Sequence, residues 1–220
     1  MIGRLVAAAM LFAALTVFSQ QARSLVITGV NLIDATGQPA QANMSVIVTG
    51  DRIAAIGKTG KIKLPVNAEI VDGSGKYLIP GLWDSHLHLT IAVNQTGTTE
   101  LLSPMLVAYG VTSVREMGGD WQRIQQLRTA IATGQILGPR IFAPGPFVDG
   151  PQPADVNFQP VANETEARQA VRKLKTDGVD FIKVQAGLSL ETWRAVVDES
   201  QKVGISVAGH IPEAVSAFDV

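Results

Sequence analysis

Short apolar, β-rich runs alternate with turn residues between Ser24 and about Lys76. Two of these runs, 45–49 and 52–56, are separated only by Gly50-Asp51, a two-residue connection that is typical of a β-hairpin. The other runs are 25–28, 30–33, 68–71 and 77–79. This pattern predicts a small β-sandwich module over residues 24–78.

After Pro80 the pattern changes to strand-length apolar runs that alternate with longer amphipathic segments, which is typical of βα units around a parallel sheet. We predict strands near 81–86, 111–116, 139–143, 180–185 and 205–209. We predict helices near 98–109, 120–133, 164–177 and 190–203. The segment 145–160 is rich in Pro, Gly and Asp and shows no helical period, so we expect a loop on the substrate side, with a disordered insertion as the alternative.

The predicted fold class is therefore α/β, a partial (β/α)8 TIM-type barrel of about five βα units that is preceded by the β-sandwich module. A closed barrel of this kind has eight strands and typically about 250 residues. About five βα units fit into residues 79–220, so we expect this part of the chain to be an incomplete barrel.

The amino-terminal residues have a composition of their own. A short positive start, 1–4, precedes an uncharged run of fourteen residues, 5–18. That run is too short for an ordinary membrane span of about 20 residues. We predict a signal peptide over 1–23 and therefore an exported protein, periplasmic or secreted, that meets the membrane only through its export. An uncleaved anchor is the alternative.

Charge and cysteine content narrow the function classes. Eighteen basic and nineteen acidic residues give a formal net charge of −1, and no basic run suggests a phosphate backbone as partner, so we expect no nucleic-acid binding. The chain contains no cysteine, so it has neither a disulfide framework nor a thiolate nucleophile. A metal ion would need nitrogen and oxygen ligands. None of these features indicates an oligomeric state.

The three histidines all fall at the ends of predicted barrel strands, where catalytic residues of such barrels collect. His86 and His88 lie two apart on an extended strand, so their side chains share a face at a Cα separation of roughly 6.5 to 7 Å. His210 closes the fifth predicted strand. Metal binding explains this placement, and a hydrogen-bonded core histidine is the alternative for His210. Asp84 shares the face of the pair, where it could bind metal or orient the turn.

Lys183 interrupts the apolar strand 181–185. Burying an ammonium group is costly unless the group is paired or loses its charge, and a buried lysine shifts toward its neutral, nucleophilic form. The alternative is a lysine whose stem packs while its head reaches solvent.

These features together resemble the amidohydrolase superfamily, and within it the imidazolonepropionase-like branch that includes relatives of Xaa-Pro dipeptidases. The resemblance runs from about Leu25 to the carboxyl terminus. It is carried by the β module and by the segments 80–88, 111–119, 180–184 and 207–210.

The resemblance implies a barrel that binds one or two divalent ions, usually Zn²⁺, and acts on a small-molecule or short-peptide substrate. His86 and His88 would bind the more buried ion, and His210 would bind the other. Lys183 would react with CO2 to form a carbamate that bridges the ions. Glu116 stands where relatives often carry an aspartate, and we expect it to position the site.

The resulting hypothesis is a metal-dependent hydrolase of amide-type C–N bonds that acts through a metal-activated water, with this chain as its amino-terminal part. The family also uses a histidine after strand six and an aspartate after strand eight. No residue of this chain matches either, so we assign no catalytic residue and expect the isolated chain to be inactive. The alternatives are a non-catalytic remnant or binding module, and an esterase or lactonase on the same metal centre.

Overall fold

A computed structural model describes residues 23–90, 98–153 and 157–218 of the chain. The chain divides into two compact units, Met1–Pro80 and Gly81–Val220. The predicted signal peptide lies almost wholly outside the described residues and stays a prediction. Among the described residues, no helix has the length and apolar character that crossing a membrane requires.

Within residues 23–80, the first unit contains one five-stranded sheet. Its strands are β1 (Ser24–Leu32), β2 (Gln41–Thr49), β3 (Arg52–Lys58), β4 (Glu69–Asp72) and β5 (Tyr77–Leu78). The order is β3-β2-β1-β4, and β5 also pairs with β1. The hairpin of β2 and β3 turns at Gly50, whose φ of 61° suits a residue without a Cβ. Val30, Leu32, Met44 and Val46 form the core of this unit.

The second unit alternates strands and helices as the sequence predicts. Its elements are β6 (Leu82–Leu87), α1 (Thr98–Ala108), β7 (Val111–Glu116), α2 (Trp121–Ala132), β8 (Arg140–Phe142), β9 (Phe147–Asp149), β10 (Phe158–Pro160), α3 (Glu164–Thr176), β11 (Ile182–Val184), α4 (Leu190–Val203) and β12 (Val207–Gly209). All strand pairs in this unit are parallel, in the orders β6-β7-β8 and β10-β9-β11-β12. The Asp180 N–H donates to the Ala143 carbonyl at 2.9 Å, which links the end of β8 to the start of β11.

The helices begin and end where local capping favours it. Asp120, Asn163 and Ser189 cap α2, α3 and α4 by accepting a hydrogen bond from the backbone three residues on. Gly204 ends α4 in the left-handed conformation, with φ 65°. The apolar faces of α3 and α4 pack onto β9 and β11, and this core positions the carboxyl ends of those strands.

The segment 145–160 differs from the predicted plain loop, because it contains β9 and β10. Phe147 and Val148 of β9 are buried, so this stretch is part of the parallel array. Both strands have only three residues, which is too short for a period to show, and the Pro and Gly residues around them favour a loop by composition.

Candidate metal centre

The register of three neighbouring strands determines which side chains face the interior of the array. Val148, Val184 and Gly209 are aligned across β9, β11 and β12. Val148 and Val184 pack in the core that α3 and α4 cover, so the residues on either side of them face the opposite way. Two rows of interior-facing residues result. The lower row consists of the residues just before the aligned ones, namely Phe147, Lys183 and Ala208. The upper row consists of the residues just after them, nearer the carboxyl ends of the strands, namely Asp149, Gln185 and His210.

Lys183 is the largest fully buried side chain among the described residues, with 1% of its surface exposed. Burial lowers the pKa of its amine, and the nearby positive charge of Arg115 lowers it further. Within the described ranges, no carboxylate forms an ion pair with it. The surroundings of Lys183 therefore favour its neutral, nucleophilic form, and the alternative of a head group that reaches solvent is wrong here.

His86 and His88 lie at the carboxyl end of β6, with ring centroids 5.4 Å apart. The Nδ1 atom of His88 is 3.1 Å from the carbonyl oxygen of Gly118. A carbonyl oxygen can only accept, so Nδ1 carries the hydrogen, and in the neutral form of the ring Nε2 has the lone pair. Metal-binding histidines commonly have this arrangement, in which the second ring nitrogen donates to a carbonyl or a carboxylate.

His210 and His86 lie within electrostatic range of Lys183. His86 and His210 are both exposed residues. Partial desolvation lowers the pKa of His86, and the charges of Lys183, His88, Arg115 and His210 lower it further. Partial desolvation also lowers the pKa of His210, with a second contribution from Lys183. The structure thus brings His86, His88, Lys183 and His210 to the same end of the parallel array.

Glu116 and Asp84 contact the backbone beside the histidines. The Glu116 side chain is 1% exposed; its Oε2 accepts the Leu89 N–H, and its Oε1 lies 3.5 Å from Nδ1 of His88. Burial raises the pKa of Glu116 to about 8, although backbone N–H groups of Leu89 and Gly118 oppose the shift. Asp84 Oδ1 accepts the His86 N–H at 3.0 Å, so Asp84 orients the strand end.

Sequence reasoning missed two interior polar residues, Asp149 and Gln185. Asp149 is 7% exposed, and its Oδ1 accepts the Gly187 N–H at 2.8 Å. Gln185 follows Lys183 by two residues on an extended strand, so the same alternation that links His86 to His88 could have found it. Asp149 gave no such signal, because β9 is not apparent from the sequence.

The residues brought together do not by themselves complete a metal site. Over residues 23–90, 98–153 and 157–218, no three His, Cys, Asp or Glu side chains form a group that could hold an ion. The histidines of the array are complemented by an amine, Lys183, which becomes an oxygen ligand only if it is modified.

The sequence profile that describes the amidohydrolase family matches residues 77–217 of this chain. The chain belongs to the amidohydrolase family. The match begins at β5 and covers the whole second unit up to the residues after β12. The predicted family resemblance is confirmed, while the assignment of individual metal ligands stays a prediction.

Two enzymes share sequence similarity with parts of this chain. An N-substituted formamide deformylase of Arthrobacter pascens is 36% identical over 90 residues, which cover 39% of this chain and 16% of the deformylase. An imidazolonepropionase of Streptomyces avermitilis is 42% identical over 52 residues, 24% of this chain and 12% of that enzyme. This chain therefore matches only a small part of either relative.

The solved structure of an Xaa-Pro dipeptidase with bound methionine in its active site is also similar. It superposes with a TM-score of 0.68 at 26% identity, over 85% of this chain and 56% of the dipeptidase. The chain thus spans about half the length of this structural relative. The predicted fold class, α/β with a partial TIM-type barrel, is confirmed.

Proposed function

We propose that the full-length protein is a metal-dependent hydrolase of amide-type C–N bonds, and that His86, His88, Lys183 and His210 hold one or two divalent ions, with Zn²⁺ as the expected metal. The observation that carries this proposal is Lys183. It is buried without an ion pair, faces the interior beside His210, and lies within electrostatic range of His86. A neutral amine in this position is poised for modification.

The donor set suits a borderline metal such as Zn²⁺. His88 already directs Nδ1 to Gly118, which leaves Nε2 available as a ligand, and imidazole nitrogens suit zinc. The bound ion would supply Lewis acidity and lower the pKa of a water molecule. Glu116 and Asp84 accept hydrogen bonds from the backbone N–H groups of Leu89 and His86, so they would position the strand end that carries the two histidines.

In the proposed modification, Lys183 reacts with CO2 to form a carbamate. The neutral Nζ attacks the carbon of CO2, an N–C bond forms, one C=O electron pair moves onto oxygen, and a proton leaves to solvent. The amine thereby becomes an anionic oxygen donor. The carbamate would replace a buried amine that has no ion-pair partner. Its negative charge would lie near the positive charge of Arg115.

The names of the relatives favour an amide-type substrate, a small molecule or a short peptide, over an ester. The deformylase is named for its action on N-substituted formamides and the dipeptidase for its action on Xaa-Pro dipeptides, both of which are amides. We also propose that the protein is exported to the periplasm or secreted, on the strength of the apolar run 5–18 that follows Arg4.

The test measures hydrolysis of N-formyl amines, cyclic amides, Xaa-Pro dipeptides and lactones by the zinc-loaded full-length protein. We expect cleavage of at least one amide class and a loss of activity on chelation.

Lys183→Ala should lower kcat/KM by about 100-fold or more, and bicarbonate should not restore it. The matched control, Lys61→Ala in the exposed turn after β3, should keep full activity. Cleavage of lactones alone would favour the esterase alternative, and full activity of Lys183→Ala would contradict the bridging carbamate.

A further inference from the structure

The upper row of interior residues contains two neighbouring oxygen acceptors. Asp149, Gln185 and His210 follow directly after the aligned residues of β9, β11 and β12. The ladder continues through this row, because the Gln185 N–H donates to the Val148 carbonyl at 3.0 Å and the His210 N–H donates to the Val184 carbonyl at 3.2 Å. Neighbouring strands lie about 4.8 Å apart. Gln185 is therefore between Asp149 and His210, one row beyond Lys183.

Each of the two acceptors has an oxygen without a protein donor. Asp149 is 7% exposed and uses Oδ1 to accept the Gly187 N–H, while its other oxygen has no partner among the described residues. The Oε1 atom of Gln185 is buried and also has no hydrogen-bond partner. Buried polar atoms are nearly always paired, so the unpaired Oε1 of Gln185, next to a carboxylate with a free oxygen on the adjacent strand, requires an explanation.

The nearby basic side chains do not supply the missing donor. Neither His210 nor Lys183 forms a hydrogen bond or an ion pair with Asp149 within the part of the chain that the structure describes. The negative charge of Asp149 nevertheless acts on His210, where it opposes the effect of burial. Asp149 therefore faces the candidate metal centre without contacting its ligands.

We propose that Asp149 and Gln185 bind the ammonium group of the substrate, so that the enzyme favours substrates with a free amine next to the scissile C–N bond. This inference rests on the proposed hydrolase function. An ammonium group carries up to three N–H donors and a positive charge. It can therefore pair with the carboxylate and donate to the neighbouring amide oxygen at the same time. A carboxylate ligand would be repelled by Asp149, and a carbonyl ligand would leave both oxygens unpaired.

The substitution Asp149→Asn separates this role from a structural one. Asparagine keeps an oxygen that can accept the Gly187 N–H, so the backbone contact survives while the charge is lost. Gln185→Leu removes the second acceptor at similar volume. Asp51→Asn, at an exposed position in the β2–β3 turn, is the matched control for the loss of one negative charge.

The experiment compares L-alanyl-L-proline with N-acetyl-L-alanyl-L-proline on the zinc-loaded full-length protein and its variants. The second probe carries a neutral acetamide in place of the ammonium group and is otherwise identical. We expect Asp149→Asn to lower kcat/KM for the free dipeptide by about tenfold or more, and to change the value for the acetylated probe by less than about threefold. Gln185→Leu should shift the same ratio in the same direction, while zinc content stays unchanged in both variants.

Two results would overturn the inference. An equal loss on both probes together with a lower zinc content would show that Asp149 acts through His210. Unchanged selectivity in Asp149→Asn would show that its charge does not contact the substrate. If the wild-type protein cleaves neither probe, calorimetry measures the affinity of the wild type and of Asp149→Asn for each probe. A preference for the free amine that Asp149→Asn abolishes supports the inference even though the proposed reaction fails, and equal affinities contradict it.

Discussion

At the residue scale, the features visible in the sequence were those that depend on strand alternation. His86, His88 and His210 stood at strand ends, and Lys183 interrupted an apolar run, so their placement followed from local pattern. Asp149 also lies at a strand end and is buried, but the strand that carries it has only three residues. The contacts of Glu116 with Leu89 and His88 join residues 27 or 28 positions apart, and no local pattern indicates them.

Glu116 leads to a prediction about pH. Burial raises its pKa from the ordinary 4.5 to about 8, so between these values the folded metal-free protein binds more protons than the unfolded chain. Stability should therefore decrease as pH rises through this window, by at most about 1.4 kcal/mol per pH unit. Urea unfolding of the metal-free full-length protein between pH 5 and pH 8 measures this slope. Glu116→Gln should reduce it, and an unchanged slope would contradict the assignment.

At the element scale, α2, α3 and α4 were predictable because each combines a capping residue with an amphipathic period. The structure places α3 and α4 within a few residues of the predicted ranges. The strands β9 and β10 were not predictable, since three residues show no period. They form through the pairing of β9 with distant β11 and of β10 with β9. Long-range pairing, unlike capping, leaves no mark on neighbouring positions.

The amino-terminal cap of α4 is open to a direct test. Ser189 Oγ accepts the Thr192 N–H at 3.2 Å. Replacing Ser189 by Ala should lower the free energy of unfolding by about 1 kcal/mol, whereas Ser189→Asp, which keeps an accepting oxygen, should be close to wild type. Urea unfolding of the three proteins measures the difference. Equal stability of Ser189→Ala and the wild type would show that the cap contributes nothing.

At the scale of the whole molecule, the second unit presents open edges. In the described part of the chain, β6 pairs only with β7 and β12 only with β11. Leu82, Trp83 and Ile211 on or next to these edges are 50%, 50% and 48% exposed. Apolar side chains on unpaired strand edges favour association with other chains.

We therefore expect the 220-residue chain, produced by itself, to self-associate and to bind an apolar dye such as ANS more strongly than the full-length protein does. We also expect it to show little or no hydrolysis. Light scattering, dye fluorescence and the amide assay measure these properties. A monodisperse, active preparation of the 220-residue chain would contradict this expectation.

The most direct test of the central claim is the zinc content of the full-length protein, measured by elemental analysis beside a His86→Ala/His88→Ala double variant. We predict one or two zinc ions per wild-type chain and the loss of at least one ion in the folded double variant. Wild-type zinc content in the double variant would contradict the assignment of His86 and His88 as metal ligands.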